Sequence, residues 1–491
     1  MALTDAEEAK VRAVLSAFEG AKTLGELPVS TGALKDLKVE VLDSTGESGV
    51  IKLTDAIANA MNAVCGRYWN RTASTPTAAG YFGSLDMLRN LPDILGLGGY
   101  LVSDDRTMRK LDPANHNRFA DGSPAALDGT MGQYMWCWQK HYYAWWVEGN
   151  NYYEAVSLNP IRGRNNYVIP AGGTSILGAG VLDRTNLKLC SLVSDDPQYR
   201  GGTNVADWDN TYRSLLGKVA TNYSATTAGT YARKRGEGWE AGWFTTNAVV
   251  SYLTRIILGT RHIQASVNPE KDANGLYQGG LGAGVTGVST GAGQWWTDQF
   301  SYNPFIPTSL GIEQGDYLGT IPYELKGADG STLQSFNVPC FFGLKNFYGH
   351  IGLIERGTLI QKLDGGSGDF YVSPSLYEGF AGTFDGMIKA AVVPANSPAG
   401  WKYITELSMQ NLCHAPTVAN GSSVTYYADG FYNDNNAGVV RCCFRRGSAN
   451  YGAYSGLGYL EIDVGLTNAY ARWSSPLCFV CEDPSPVPQL F

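Results

Sequence analysis

The apolar positions of this chain change their period along its length. Residues 4–19 carry Val11, Leu15 and Phe18 at i, i+4 and i+7, the single stripe of a surface helix. Thr4 and Glu7 stand in capping-box relation with Thr4 as N-cap, and Gly20 is placed to end the helix. Leu24, Leu27 and Val29 follow around Pro28, and the run 37–42 reads as a strand. Thr54 is expected to open a second short helix with Ile57, Met61 and Val64 on one face. Such stripes cannot bury themselves in so small a unit. Residues 1–64 are therefore read as a small helical and β attachment and oligomerisation region.

Residues 65–130 show Pro and Gly punctuation without a strong period and are read as a bridging region, with 103–126 as loop. From about 131 the texture becomes aromatic and β-prone: 135–147 reads MWCWQKHYYAWWV, followed by Tyr152-Tyr153 and the cluster at 239–244. The spacing predicts an amphipathic helix near 245–258, capped by Thr245 or Thr246, striped by Val249, Leu253 and Ile256, and stopped at Gly259. From 305 to 480 short strands alternate with Gly, Asn, Asp and Pro turns, as at 337–344, 352–360 and 439–444. No repeat of fixed period is present.

Composition sharpens this. Charged residues are 17 % of the 491, against about 25 % in an average domain, while Gly (60), Tyr (29) and Trp (12) are high. This fits a turn-rich protein with aromatic surfaces, in two or three units. The net charge is −8 and the densest basic spot is only Arg233-Lys234-Arg235, so no nucleic-acid partner is expected. No apolar run approaches the length of a membrane span, so no membrane insertion is expected. The N-terminus MALTDAEEAK lacks the positive and apolar regions of a secretory signal. Nine widely spread cysteines argue against a disulfide framework and for folding in a reducing cytoplasm.

The chemical motifs are weak. Gly282 to Gly287 matches G-x-G-x-x-G and Gly287 to Gly291 matches G-x-S-x-G, but neither has the strand–turn–helix context its chemistry needs. The five histidines (His116, His141, His262, His350, His414) have no zinc-ligand spacing. Cys478 and Cys481 form one C-x-x-C, with the vicinal pair Cys442-Cys443 elsewhere, and buried free thiols are the simpler reading. Asn433-Asp434-Asn435-Asn436 lacks the alternation and closing Glu of a calcium loop and reads as an Asx-rich turn. No spacing singles out a carboxylate pair for glycoside hydrolysis. No catalytic residue, metal or cofactor is assigned.

The stretch Cys443 to Phe479, CFRRGSANYGAYSGLGYLEIDVGLTNAYARWSSPLCF, is different. Apolar ends frame a middle of Gly, Ser, Asn and Tyr, the residues that recognition surfaces use for stiff contact area and adaptable hydrogen bonds. The bland alternative is a Gly/Tyr-rich meander with no partner. The order of features narrows the choice: MWCWQKHYY, then AGTYARKRGEGW, a helix ending in LGTRHIQAS, then CCFRRGSANYGAYSGLGYL and a closing SSPLCF. Over 131–491 this resembles the C-type-lectin-fold variable proteins of diversity-generating retroelements, in the large form found at tail-fibre tips of gut-bacterial phages and prophages.

The resemblance implies an α+β chain with a C-type lectin-like domain over 131–491, whose variable segment, about 443–478, is rewritten at adenines by reverse transcription. Phe444, Arg445, Gly447, Gly452, Gly456, Leu457, Leu460, Leu477 and Cys478 match scaffold positions. Ser448, Asn450, Tyr451, Ala453, Tyr454, Asp463, Tyr470 and Arg472, with Glu461 and Trp473, match ligand-binding positions. The chain departs from the family at Arg446-Gly447, where Gly-Gly is usual, and at Trp473 to Pro476, where Ile/Val-Gly-x-Arg is usual. The implied function is host attachment by a tail-fibre receptor-binding protein, not an enzyme, acting as a homotrimer in the virion after synthesis in the host cytoplasm. Its implied partners are a host surface receptor, protein or glycan, and other tail-fibre proteins at the N-terminus. The rivals are a glycan-degrading tail enzyme and an oxidase of the formylglycine-generating type using Cys442, Cys443, Cys478 or Cys481.

Overall fold

Aromatic-rich runs such as Trp145-Trp146 and Tyr152-Tyr153 lie in strands of the computed structural model, which describes residues 38–42, 48–52, 63–161, 163–211, 214–271, 305–326, 329–375, 380–448, 451–481 and 489–490. The chain divides into two compact units, Met1–Ala63 and Val64–Phe491. In the first, Lys38–Leu42 pairs antiparallel with Ser48–Lys52, so the strand expected at 37–42 is present. The helix expected at 4–19 and most of the one expected from Thr54 lie outside the described residues; Val64 opens a strand.

Three larger sheets and three small ones make up the described strands of the second unit. In a six-stranded sheet, Asn151–Ser157 lies between Val64–Asn70 and His141–Glu148, with Tyr153 opposite both Tyr68 and Trp146. The Trp146 and Tyr153 rings stack at 5.0 Å, a cross-strand aromatic pair of the kind that stabilises sheets. A seven-stranded sheet centres on Gln133–Trp138, which is buried on both faces, as its near-continuous aromatic run requires. It also holds Leu477–Val480, so the end of the suspected variable segment pairs with Gly172–Ser175. An eight-stranded sheet joins Gly352–Lys362, Val440–Arg446, Gly456–Glu461, Gly430–Asn433 and Gly400–Tyr403, with Trp473–Ser474 parallel to Gly352–Lys362.

The expected helix is there as Phe244–Leu258, closed by Gly259 at φ 68°. Its N-cap is Trp243, not a threonine, and residues 244–256 are all buried, so it is a core helix and not an amphipathic one. Arg255 pairs with Glu154 of the first sheet at 2.6 Å, and Asn247 donates to Glu355 of the eight-stranded sheet at 3.0 Å. Polar side chains that read as the solvent face in sequence instead link the helix to two sheets.

Two expectations are corrected. The chain is not α+β with a C-type lectin-like domain over 131–491: strand far outweighs helix, and the architecture is a set of largely antiparallel sheets. The single long helix drew attention because its period is clean, whereas Gly- and Asx-punctuated strands leave only a weak trace. The stretch 103–126 is not simply loop. Met108–Asp112 and Asn115–Phe119 form a hairpin about Pro113-Ala114, at the edge of the seven-stranded sheet, where charged residues such as Arg109 and Lys110 keep strand geometry without an apolar alternation. No described helix is long and apolar enough to cross a membrane.

Candidate functional site

Arg446 and Gly447 both turn left-handed, at φ 71°, and lead the chain out of the strand Val440–Arg446. A Cβ on Gly447 would stand 2.5 Å from Ser455 Oγ and 3.0 Å from its Cα, so the loop closes only over glycine. Arg446 holds its conformation with its guanidinium buried, donating to Asn247 Oδ1 at 3.1 Å. The loop then runs through a short helical turn, Gly452–Tyr454, and returns as the strand Gly456–Glu461. Gln264 donates to the Ala453 carbonyl at 3.3 Å and ties the loop to the core.

This path delivers Tyr451 and Tyr454, both half-buried, beside Trp401 of the neighbouring strand Gly400–Tyr403. Tyr454 stacks on Trp401 at 4.6 Å and on Tyr403 at 4.8 Å. Trp401 also meets Tyr432, Tyr451 and Tyr459 at 5.0, 5.1 and 5.3 Å. Gly430 makes room beneath, because a Cβ there would lie 2.6 Å from Tyr454 Cβ and 3.0 Å from Trp401 Cζ3. The result is a partly exposed aromatic platform with Trp401 at its centre.

Polar groups border it. The Arg472 guanidinium donates to the Tyr451 hydroxyl at 3.2 Å and lies over the rings of Tyr451, Tyr470 and Trp473. Glu461 accepts from Tyr459 at 2.6 Å and from Tyr451 at 3.5 Å. Burial and then the nearby Asp463 carboxylate push the Glu461 carboxyl up to about 7. Burial likewise raises Asp463. The ring faces and the Arg472 guanidinium on this half-exposed face can meet a ligand, while the Glu461 carboxyl is buried.

The ten residues singled out in sequence divide accordingly. Tyr451, Tyr454 and Arg472 meet in this face, with Ala453 half-buried between the two tyrosines along the chain and Asp463 half-buried beyond Glu461. Tyr470, half-buried, packs edge-on against Trp473 at 4.1 Å. Trp473 is 1 % exposed and stacks on Phe444 at 3.6 Å, so it is core. Ser448 and Glu461 are buried as well, and Asn450 lies outside the described residues. Phe444, Arg445, Leu457, Leu460, Leu477 and Cys478 are all buried. Trp401, Tyr403, Tyr432 and Tyr459 were missed. Trp401 and Tyr403 lie far ahead of the segment, and their one sequence signal is the aromatic spacing Trp401-x-Tyr403 in a strand-like run; Tyr432 lies just ahead of it and Tyr459 within it.

The other candidates resolve simply. The Asx-rich turn follows the strand Gly430–Asn433, and the Lys362 ammonium fills it, bonding Asn433 Oδ1 and lying 3.2 Å from Asp434. Arg441 adds a second cation at 3.2 Å from Asp434. Two fixed cations stand where a calcium ion would have to sit. Burial pushes the Cys442 thiol up to about 12 and raises Cys443 and Cys478, so these are poor nucleophiles. Among the described residues no group of three or more His, Cys, Asp or Glu side chains could hold a metal. The two glycine-rich motifs at 282–291 lie outside the described residues. No protein-family model matches the chain, and no curated protein matches it.

Proposed function

We propose that this chain is a phage tail-fibre receptor-binding protein that displays a varied ligand-binding face on a fixed β scaffold. The observation that carries the reading is the division of labour within 443–478. Of the scaffold positions, Phe444, Arg445, Leu457, Leu460, Leu477 and Cys478 are buried in strands, while Tyr451, Tyr454 and Arg472 gather on one half-exposed face around Trp401, which lies outside the segment. A surface that tolerates change, held by a rigid frame, is what a diversified binder requires. The host receptor, protein or glycan, is the partner of this face. Residues 1–63 attach the chain to the fibre and assemble a homotrimer, so that several weak sites act together by avidity.

Host adsorption tests the reading directly. Trp401→Ala and Tyr454→Ala virions are expected to lose adsorption while the purified variants keep a cooperative thermal transition. Adsorption at the wild-type rate by both variants overturns it. Release of reducing ends from host polysaccharide, abolished by Glu461→Gln, would replace binding with hydrolysis. The neighbouring DNA offers a second check: a near-copy of the segment encoding 443–478, differing at adenines and lying beside a reverse transcriptase gene, is expected.

A further inference from the structure

Between the six-stranded sheet and the hairpin Glu406–Ser408 with Ala415–Val418 lies a cavity of about 200 Å³. It shares no residue with the platform around Trp401. Trp145, Tyr152 and Tyr427 give it aromatic walls; Arg71 and Glu406 line it with Arg261. Arg71 and Glu406 face each other at 3.2 Å, both partly exposed, so their charges cancel. Arg261 is the remaining charge in the wall, and it is only 3 % exposed.

The surroundings of Arg261 are unusual for a buried cation. Its Nη2 donates to the Thr75 carbonyl at 3.0 Å, and the guanidinium lies 5.7 and 5.2 Å from the Tyr426 and Tyr427 ring centroids. Its Nε has no acceptor, and among the described residues it forms no ion pair. Three buried arginines of the core, Arg255, Arg356 and Arg445, each meet a glutamate at 3.0 Å or less, whereas Arg261, like the buried Arg446, does not; of these two only Arg261 lines this cavity. The Trp145 indole N–H in the same wall also lacks an acceptor. A buried charge and a buried donor without counter-groups are costly, and the cost falls when a ligand supplies them.

We infer that this cavity binds a small carboxylate-bearing ligand the size of one acidic sugar ring, its carboxylate set against Arg261. The charge of the wall calls for an anion. Its aromatic faces suit the flat face of a ring. Its volume, below the roughly 300–1,000 Å³ of drug-sized pockets, admits a single ring and not a chain. The inference does not depend on the role proposed for the platform around Trp401.

Saturation-transfer NMR and thermal shift on the full chain test it, with sodium D-glucuronate and D-galacturonate as probes, D-glucose and D-galactose as neutral controls, and sodium acetate as the bare charge. One of the uronates is expected to bind, with the neutral sugars and acetate at least about tenfold weaker. Arg261→Gln is expected to remove that preference. Trp145→Phe, which removes the N–H together with the pyrrole part of the indole and keeps one aromatic ring, is expected to weaken uronate binding several-fold without altering the fold, and Tyr454→Ala to leave it unchanged. Three results overturn the inference: no response to either uronate at about 10 mM, equal response to neutral sugars or acetate, or wild-type uronate binding by Trp145→Phe together with a folded Arg261→Gln.

Discussion

Tyr454 lies between Trp401 and Tyr403, and its removal takes away two ring stacks without opening a closed core. Tyr454→Ala is therefore expected to cost about 1–3 kcal/mol of stability, the scale of two aromatic pairs. Trp473→Ala, a fully buried ring stacked on Phe444, is expected to cost about 3–5 kcal/mol. Urea denaturation of the two variants separates surface from core within one short segment. Glu461 sets a pH dependence. Its folded carboxyl titrates near 7, well above its ordinary value of 4.5, so between these pH values the unfolded chain releases a proton that the folded chain keeps. Stability then falls as pH rises through that window, by an amount on the order of 3 kcal/mol. Glu461→Gln, which cannot ionise, is expected to flatten the pH 4.5–7 part of the stability profile. An unchanged slope would place the titration elsewhere.

At the scale of elements, the helix Phe244–Leu258 is the joint between two sheets, and charge makes the joint. Arg255 and Glu154 meet at 2.6 Å with both side chains at most 2 % exposed. Glu154→Gln leaves the guanidinium buried without its counter-charge and is expected to cost about 3–5 kcal/mol, read as a lowered denaturation midpoint. Replacing both partners by apolar residues of similar size is expected to recover most of that loss. This element also shows how much was legible in sequence. Its length, its stripe and its stop at Gly259 were all readable, because they follow from local periodicity and from the left-handed turn that glycine favours. Its burial on every side was not. Arg255 looks solvent-facing until Glu154, about a hundred residues earlier, is brought to it, and Thr254 until its hydroxyl is seen to donate to the Val250 carbonyl. The β character of the aromatic run 135–147 was equally legible, but not its division into strands at 133–138 and 141–148, nor the hairpin at 108–119, since an edge strand needs no apolar alternation. The platform was half legible. Tyr451 and Tyr454 stood out by composition, whereas Trp401 joins them only through the pairing of Gly400–Tyr403 with Gly430–Asn433.

At the scale of the molecule, the unit Val64–Phe491 carries its own core, from Trp69 through Leu253 to Phe479. A chain starting at Val64 is expected to fold, to keep the platform, and to behave as a monomer in light scattering, while the full chain behaves as a trimer. A trimeric shortened chain would move the oligomer contact out of residues 1–63.

Trp401 has one more consequence. It touches four tyrosines, of which Tyr451, Tyr454 and Tyr459 belong to the segment proposed to be rewritten while it stands outside. Each rewritten copy would begin its life already adhesive. New sequences would compete on discrimination, since a baseline grip comes built in, and a poorly chosen copy would fail by clinging to the wrong cell more often than by clinging to none.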